Sequence, residues 1–488
     1  MDSDQPIGSI ADEIIAKCRQ KTAIDEAIVV IEDVSETEVR YANNHITTNG
    51  IRRDRELTLI LTKTVKNLQY VGIQSVSSVA GSEEMDNFIA QTFAALEASV
   101  PSANNEELIG KSLTQDVLPI NVDTDHDLQG DVNCYLPSKK ADPYIFREPL
   151  AELKEVFAGQ GKGKSLLSGL MSYGITTTHL ATTTDVAFTG EERIGIFEIV
   201  KRQANATGDL SSSWIGEVTR DFQDISPYGI DKRLSERLSW GQKKVNLPPG
   251  RYEVIMPPSV VADLMLELYM AADGLDAREG GTVFSAPGGL PMYGRRLCDS
   301  RFSLYSDPHD GDVGCNDVFV TTSNGSDSSV FDNGRRLEKT YWLEKGVVKN
   351  LRAPRYTEHK YGLAPAFHIG NLLLASNKES TSLEDMIRQT KRGLLITCLW
   401  YIREVDRAKL LLTGLTRDGV YLVEHGEIVA EVNNFRFNDS PLTLLNNAIA
   451  TSAPSLAYPR ESGEWMPLCK MPAVTVAGFN FDSVSSAS

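Results

Sequence analysis

The stretch Val254–Gly274, VIMPPSVVADLMLELYMAADG, constrains the fold of this chain more than any other segment. Tyr252–Met256 reads as a strand. The Pro257-Pro258-Ser259 that follows is a helix start, because proline suits a first turn that has no use for its missing N–H. Val261, Leu264, Met265, Leu268 and Ala272 then recur at helical spacing and predict a buried stripe. A strand that turns directly into an apolar helix needs one core for both, so helices and sheets must pack on each other here.

Composition sets the outer limits. A length of 488 residues predicts about three domains on a prior of roughly one per 150 residues, with ample chain for real cores. The apolar share of 41% and charged share of 24% suit a globular protein. Forty-nine basic against 66 acidic residues leave a net charge of −17, which repels phosphate backbones and argues against nucleic acid as a partner. Met1–Glu13 is acidic and lacks an apolar core of signal-peptide length. The longest apolar run, Leu394–Ile402, is far short of the ~20 residues that cross a bilayer. Cys18, Cys134, Cys298, Cys315, Cys398 and Cys469 form no C-x-x-C pair and read as reduced thiols. The expectation is a cytoplasmic protein with no membrane partner.

The pattern along the chain predicts an α+β fold. A first domain spans 8–100. Helix Ile10–Arg19 is followed by strands at Ala27–Glu32, Glu38–Tyr41, Leu57–Thr62 and Tyr70–Val76, split by polar turns, and then by helix Met85–Leu96. The polar, acidic stretch 101–131 reads as a linker. A middle unit, 132–228, opens with helix Arg147–Ala158 and continues as strands Leu166–Tyr173, Thr176–Thr183, Val186–Gly190 and Ile194–Arg202, packed on or continuous with the first sheet. A strand-rich C-terminal domain, 232–482, starts with helix Lys232–Trp240 and carries the apolar helix described above. Within it, Lys339–Lys345 and Val347–Arg352 are expected to pair across Gly346, and Val420–Glu424 and Glu427–Val432 across His425-Gly426. Thr381 and Glu384 predict a capping box for helix Ser382–Gln389.

Two apparent motifs fail on physical grounds. Ala158–Ser165, AGQGKGKS, has Ala where a phosphate-binding loop begins with Gly, and it follows a helix where a strand is required. Asp307, Asp310, Asp312 and Asp317 lack the spacing and closing Glu of a calcium loop. None of the seven histidines (His45, His126, His179, His309, His359, His368, His425) lies in a H-x-x-x-H or H-E-x-x-H spacing, although a loop could bring His359 and His368 together.

Inside the apolar helix sits Leu266-Glu267-Leu268-Tyr269-Met270-Ala271. Further along come Ser382–Ile387, Gly393–Thr397, Gly419–Ile428 and Met471–Gly478, and near the N-terminus Arg40–His45 and Asn49-Gly50. In order and spacing these resemble the TldD/PmbA family, also called the modulator-of-DNA-gyrase family. One branch of that family carries His-Glu-x-x-x-His on this helix. Laid over that motif, Glu267 matches the glutamate, Leu266 stands for the first histidine and Ala271 for the second. The chain therefore resembles the metal-less PmbA/TldE-type subunit.

The resemblance implies a division of labour. In the metal-bearing branch two histidines and a C-terminal cysteine hold zinc, and the glutamate acts as base on the metal-bound water. With two ligands replaced by aliphatic groups, no metal and no catalytic residue are expected in this chain. Zinc and hydrolysis would come from a TldD-type partner, and the pair would act on peptides or unfolded protein segments. At the helix surface, Glu267 is expected to be a solvated acid or a contact to partner or substrate. Cys469 lies closer to the last strand than the family's ligand cysteine. The competing classes are a stand-alone hydrolase with an unrecognised site, a nucleotide-dependent enzyme at Gly159–Ser165, and an interaction module without a peptidase partner.

Overall fold

The structure, a computed structural model, describes residues 5–485 except 67, 80, 102–132, 162–164, 205–207, 209 and 379. The predicted linker lies outside the described residues but for Pro101, as do His126 and the lysines of the glycine-rich run.

Helix α1 (Ile7–Arg19) leads into strands β1 (Glu26–Ala42), β2 (His45–Val65) and β3 (Leu68–Val76), then helix α2 (Ser82–Ala98). After residue 132 come α3 (Arg147–Gly159), β4 (Ser165–Thr182), β5 (Ala187–Ala204), β6 (Leu210–Thr219) and α4 (Pro227–Trp240). The six strands form one antiparallel sheet in the order β3-β2-β1-β4-β5-β6, so strands from either side of residues 102–132 share a single ladder.

The strands are longer than the expected fragments. Asp33–Thr37 does not turn away; it continues β1 between Ile31 and Val39. Its polar side chains are satisfied in place: Arg55 donates twice to Asp33, at 2.5 and 2.6 Å, and Ser35 accepts from the Ala141 amide. Polar groups with partners have no need of a turn to reach water. The real reversal is at Asn43-Asn44, both left-handed (φ 52° and 65°), the conformation that a two-residue hairpin requires.

One face of this sheet packs α1 and α2 through Ile10, Ile14, Phe88, Leu57 and Leu59, and farther along packs α3 and α4 through Leu153, Leu234, Met171 and Phe197. The opposite face, with Ile28, Val30, Ile60 and Leu180, buries Val318, Val330 and Phe331 from the C-terminal part. Helix α4 begins at Pro227, earlier than the expected Lys232, because Ser226 caps it by accepting from the Gly229 amide.

The C-terminal part holds β7 (Lys244–Val245), β8 (Gly250–Met256) and helix α5 (Pro258–Met270), and two larger sheets. The larger runs in the order Leu399–Asp406, Leu411–Thr416, Phe435–Asp439, Val474–Val484, β8, Arg392–Ile396, Val420–Glu424, Glu427–Val432, β7. Strand β8 is parallel to Arg392–Ile396 and antiparallel to Val474–Val484. The other sheet is built on Phe302–Ser306, Thr340–Glu344, Leu372–Ser376 and Cys469–Met471. This is the expected α+β class.

Both predicted hairpins form. Thr340–Glu344 pairs with Val347–Val348 around left-handed Lys345-Gly346, and Val420–Glu424 pairs with Glu427–Val432 around left-handed His425-Gly426. The cap of the helix near 383 is displaced by one residue. Ser382, not Thr381, accepts from the Asp385 amide at 3.0 Å, and its hydroxyl donates back to the Asp385 carboxylate at 2.8 Å. A Cβ on Gly426 would stand 2.6 Å from the Arg388 carbonyl oxygen at φ 85°. Gly426→Ala should therefore lower the urea midpoint, with m unchanged, by the equivalent of about 1–3 kcal/mol.

Candidate functional site

Helix α5 is core on nearly every side. The predicted stripe Val261, Leu264, Met265, Leu268 and Ala272 is buried, and so are Val260, Ala262, Asp263, Leu266 and Tyr269. The helix lies between the two C-terminal sheets and takes cover from both, so one apolar stripe was too narrow a prediction. Of the three motif positions, Leu266 is fully buried and Ala271 nearly so, at the helix C-cap. Neither has a lone pair to offer a metal, so the residues at this place do not fit a zinc ion held in the family's manner. Among the described residues no group of three or more His, Cys, Asp or Glu side chains is placed to hold a metal ion.

Glu267 is not a fully solvated surface acid. It is half-buried, and burial, with the carboxylates of Glu404 and Glu461 nearby, pushes it up to about 7 against the pull of Arg403. One turn earlier Asp263 is sealed at 1% exposure and accepts the Glu461 amide at 2.9 Å. Burial pushes Asp263 up to about 8, although the amides of Glu461 and Arg460 draw it down.

The segment Tyr458–Glu461 binds three bodies together. The Tyr458 hydroxyl donates to Glu198 on β5 at 2.8 Å, and the indole of Trp214 on β6 donates to the same carboxylate at 3.3 Å. The guanidinium of Arg460 stacks between the rings of Trp214 and Trp400, 5.0 Å from each, pairs with buried Asp418 and lies 2.8 Å from the Cys398 sulfur. Ser212 on β6 donates to the other oxygen of Asp418 at 2.6 Å. Glu461 accepts from the Tyr401 amide at 3.0 Å and from Arg403 at 2.8 Å, while its own amide serves Asp263. One short loop thus joins the first sheet, helix α5 and the strand Leu399–Asp406.

That strand is the outer member of the larger sheet and pairs, among the described residues, only with Leu411–Thr416. Its register breaks twice, between Trp400 and Arg403 and between Glu404 and Asp406. Tyr401 sits at φ 54°, left-handed for a bulky residue, and its ring is exposed. An irregular, open edge therefore runs beside Glu267.

Beyond Glu267 the helix ends in an aromatic cluster. The Tyr269 hydroxyl is 2.9 Å from Nδ1 of His368, with Trp342 and Trp465 packed on the Tyr269 ring and Arg352 above it. Burial and Arg352 push His368 down to about 4, so it is neutral at pH 7. The side chain of His359 lies outside the described residues. Cys469 lies in the strand Cys469–Met471 packed near α5; it is fully buried and its thiol donates to the Met466 carbonyl. Sequence reading missed Asp263, Arg460, Glu461, Glu404 and Arg403. Asp263 alone had a visible signal, an acid one turn before Glu267 in an apolar helix.

A strand passes through a proline turn into a buried helix, beside an open sheet edge. Residues 249–482 match the family model of the PmbA/TldA metallopeptidase C-terminal domain. Three solved structures share the fold at low sequence identity. A proposed modulator of DNA gyrase from Thermotoga maritima is 15% identical, with TM-score 0.72 over 97% of this chain and 100% of that one. TldE from Thermococcus kodakarensis is 14% identical, with TM-score 0.71 over 97% and 100%. A proposed modulator of DNA gyrase from Bacteroides thetaiotaomicron is 14% identical, with TM-score 0.71 over 98% and 99%. No curated protein matches the sequence. Residues 249–482, just under half of the chain, are thus similar to the C-terminal domain of the PmbA/TldD family.

Proposed function

We propose that this chain is the non-metallated, PmbA/TldE-like subunit of a heteromeric TldD/TldE-type metallopeptidase, cytoplasmic and acting on peptides or unfolded protein segments. A TldD-type partner supplies the zinc and the hydrolytic step. The observation that carries this reading is the donor set on α5: Leu266 and Ala271 are buried aliphatic groups where the metal-bearing branch has imidazoles. The open strand Leu399–Asp406 supports the substrate class, because an extended chain can add its backbone to such an edge and a folded one cannot. In this reading the chain builds one wall of the chamber and positions substrate beside Glu267.

Co-purification with a TldD-type homologue tests the assignment. Metal analysis should find zinc in the partner and essentially none in this chain, and only the pair should cleave an unstructured peptide. Chelator-sensitive cleavage by this chain alone would overturn it.

A stand-alone hydrolase is the second reading, favoured by one observation. Glu267 is held near 7, where a carboxyl can both accept and return a proton at neutral pH. Cleavage by the purified chain that survives a chelator and disappears in Glu267→Gln would select it.

A further inference from the structure

Strand β2 is covered unevenly. From Leu57 to Val65 it pairs with β3 on its outer side, but His45–Glu56 pairs only with β1. Among the described residues that leaves a long open edge, with alternate N–H and C=O groups facing outward. The register sets Ile46, Asn49, Ile51 and Arg53 opposite Tyr41, Val39, Thr37 and Ser35, so all four face the helix-bearing side of the sheet. Ile46 and Ile51 are 55% and 53% exposed there.

Where the open edge meets the covered part, a cavity of about 590 Å³ opens on the same side. Ile10 and Leu57 give it apolar surface, and Arg53, Arg55, Lys139, Lys140, Asp33 and Asp54 give it charge. Cations exceed carboxylates in the lining of a chain whose net charge is −17. Arg55 is held twice by Asp33, and Lys139 reaches Glu191 at 3.2 Å. Arg53 is exposed and makes no ion pair among the described residues. Arginines on an edge strand do guard against aggregation. That role needs no cavity, and it does not account for two isoleucines left in water along the same edge.

We propose that the open edge of β2 takes up an extended, acidic polypeptide segment as an added strand, with a carboxylate of that segment seated against Arg53 in the cavity. The backbone supplies affinity and the cavity supplies selection. Its volume falls within the roughly 300–1,000 Å³ of small-molecule ligand sites, ample for a side chain or chain end. This site is on a different sheet from the edge beside Glu267, and it stands whether or not a metal-bearing partner exists.

The test is fluorescence anisotropy of the full chain with a dye-labelled peptide of alternating threonine and glutamate. Saturable binding should weaken on the order of tenfold in Arg53→Glu, and less in Arg53→Gln, with circular dichroism unchanged because Arg53 is exposed. Lysine in place of glutamate should abolish binding. Two peptides N-methylated on alternate amides should differ, one losing binding and the other keeping it, since only every second amide points at the edge. Loss on C-terminal amidation would assign the carboxylate to a chain end, and retention would assign it to a side chain; either outcome supports the site. Equal affinity in Arg53→Glu, equal binding of the lysine peptide, or indifference to both N-methylation patterns would overturn the proposal. So would self-association in sedimentation velocity that the peptide fails to displace, since the edge would then belong to a second copy.

Discussion

Arg460→Met should lower the stability of this protein by about 3–5 kcal/mol, seen as a large fall in the urea midpoint. The guanidinium is 11% exposed and Asp418 is 4% exposed, so removing the cation leaves a carboxylate in the interior with only the more distant Arg417, 3.7 Å away, as countercharge. The hydroxyl of Ser212 remains, but a neutral donor compensates only part of a buried charge. Adding Asp418→Asn to the variant should restore more than half of the loss. If single and double variants were equally unstable, the penalty would lie in the packing of Trp214 and Trp400 on the lost side chain rather than in the orphaned charge. Near-ultraviolet circular dichroism should report those two indoles directly.

Glu267→Gln should stabilise the folded chain at pH 8 by up to about 3 kcal/mol and do nothing below pH 4. The folded state holds the Glu267 proton up to about pH 7, whereas the unfolded chain releases it near 4.5. Between those values the native state binds more protons than the unfolded one, so stability contributed at this position falls as pH rises. Above pH 7 the penalty of an ionised, half-buried carboxylate beside Glu404 and Glu461 is fully present. Asp263 follows the same sign with its upper limit near pH 8. Urea titrations of wild type and variant from pH 4 to pH 8.5 test this: a difference that stays constant over that range would place Glu267 in water after all.

Much of the architecture was written in local pattern. The proline turn before Ser259, the helical spacing after it, and the Gly346 and Gly426 hairpins each depend on a few neighbouring residues. What local pattern hid was satisfaction at a distance. Asp33 and Ser35 read as a turn because their partners, Arg55 and the Ala141 amide, lie far away in sequence. Glu267 read as a solvated acid or a contact and Asp263 was not singled out, yet Asp263 is sealed by a loop almost two hundred residues later. That Leu266 and Ala271 have no lone pair to offer was legible, because it is a property of the residue itself. The loop Tyr458–Glu461 was not, since its role comes only from the three bodies it happens to touch.

The long pairing of β1 with β4 has a consequence for how the chain is made. β1 ends at Ala42 and β4 starts at Ser165, and the central ladder joins them along nearly their full lengths. At about 5–20 residues per second, a ribosome takes roughly 6–25 s to supply the missing neighbour. Through that interval the nascent hairpin of β1 and β2 presents Ile28, Val30 and its bare backbone to solvent. A holdase that masks unfinished strands has its natural moment there, before the second half of the sheet emerges.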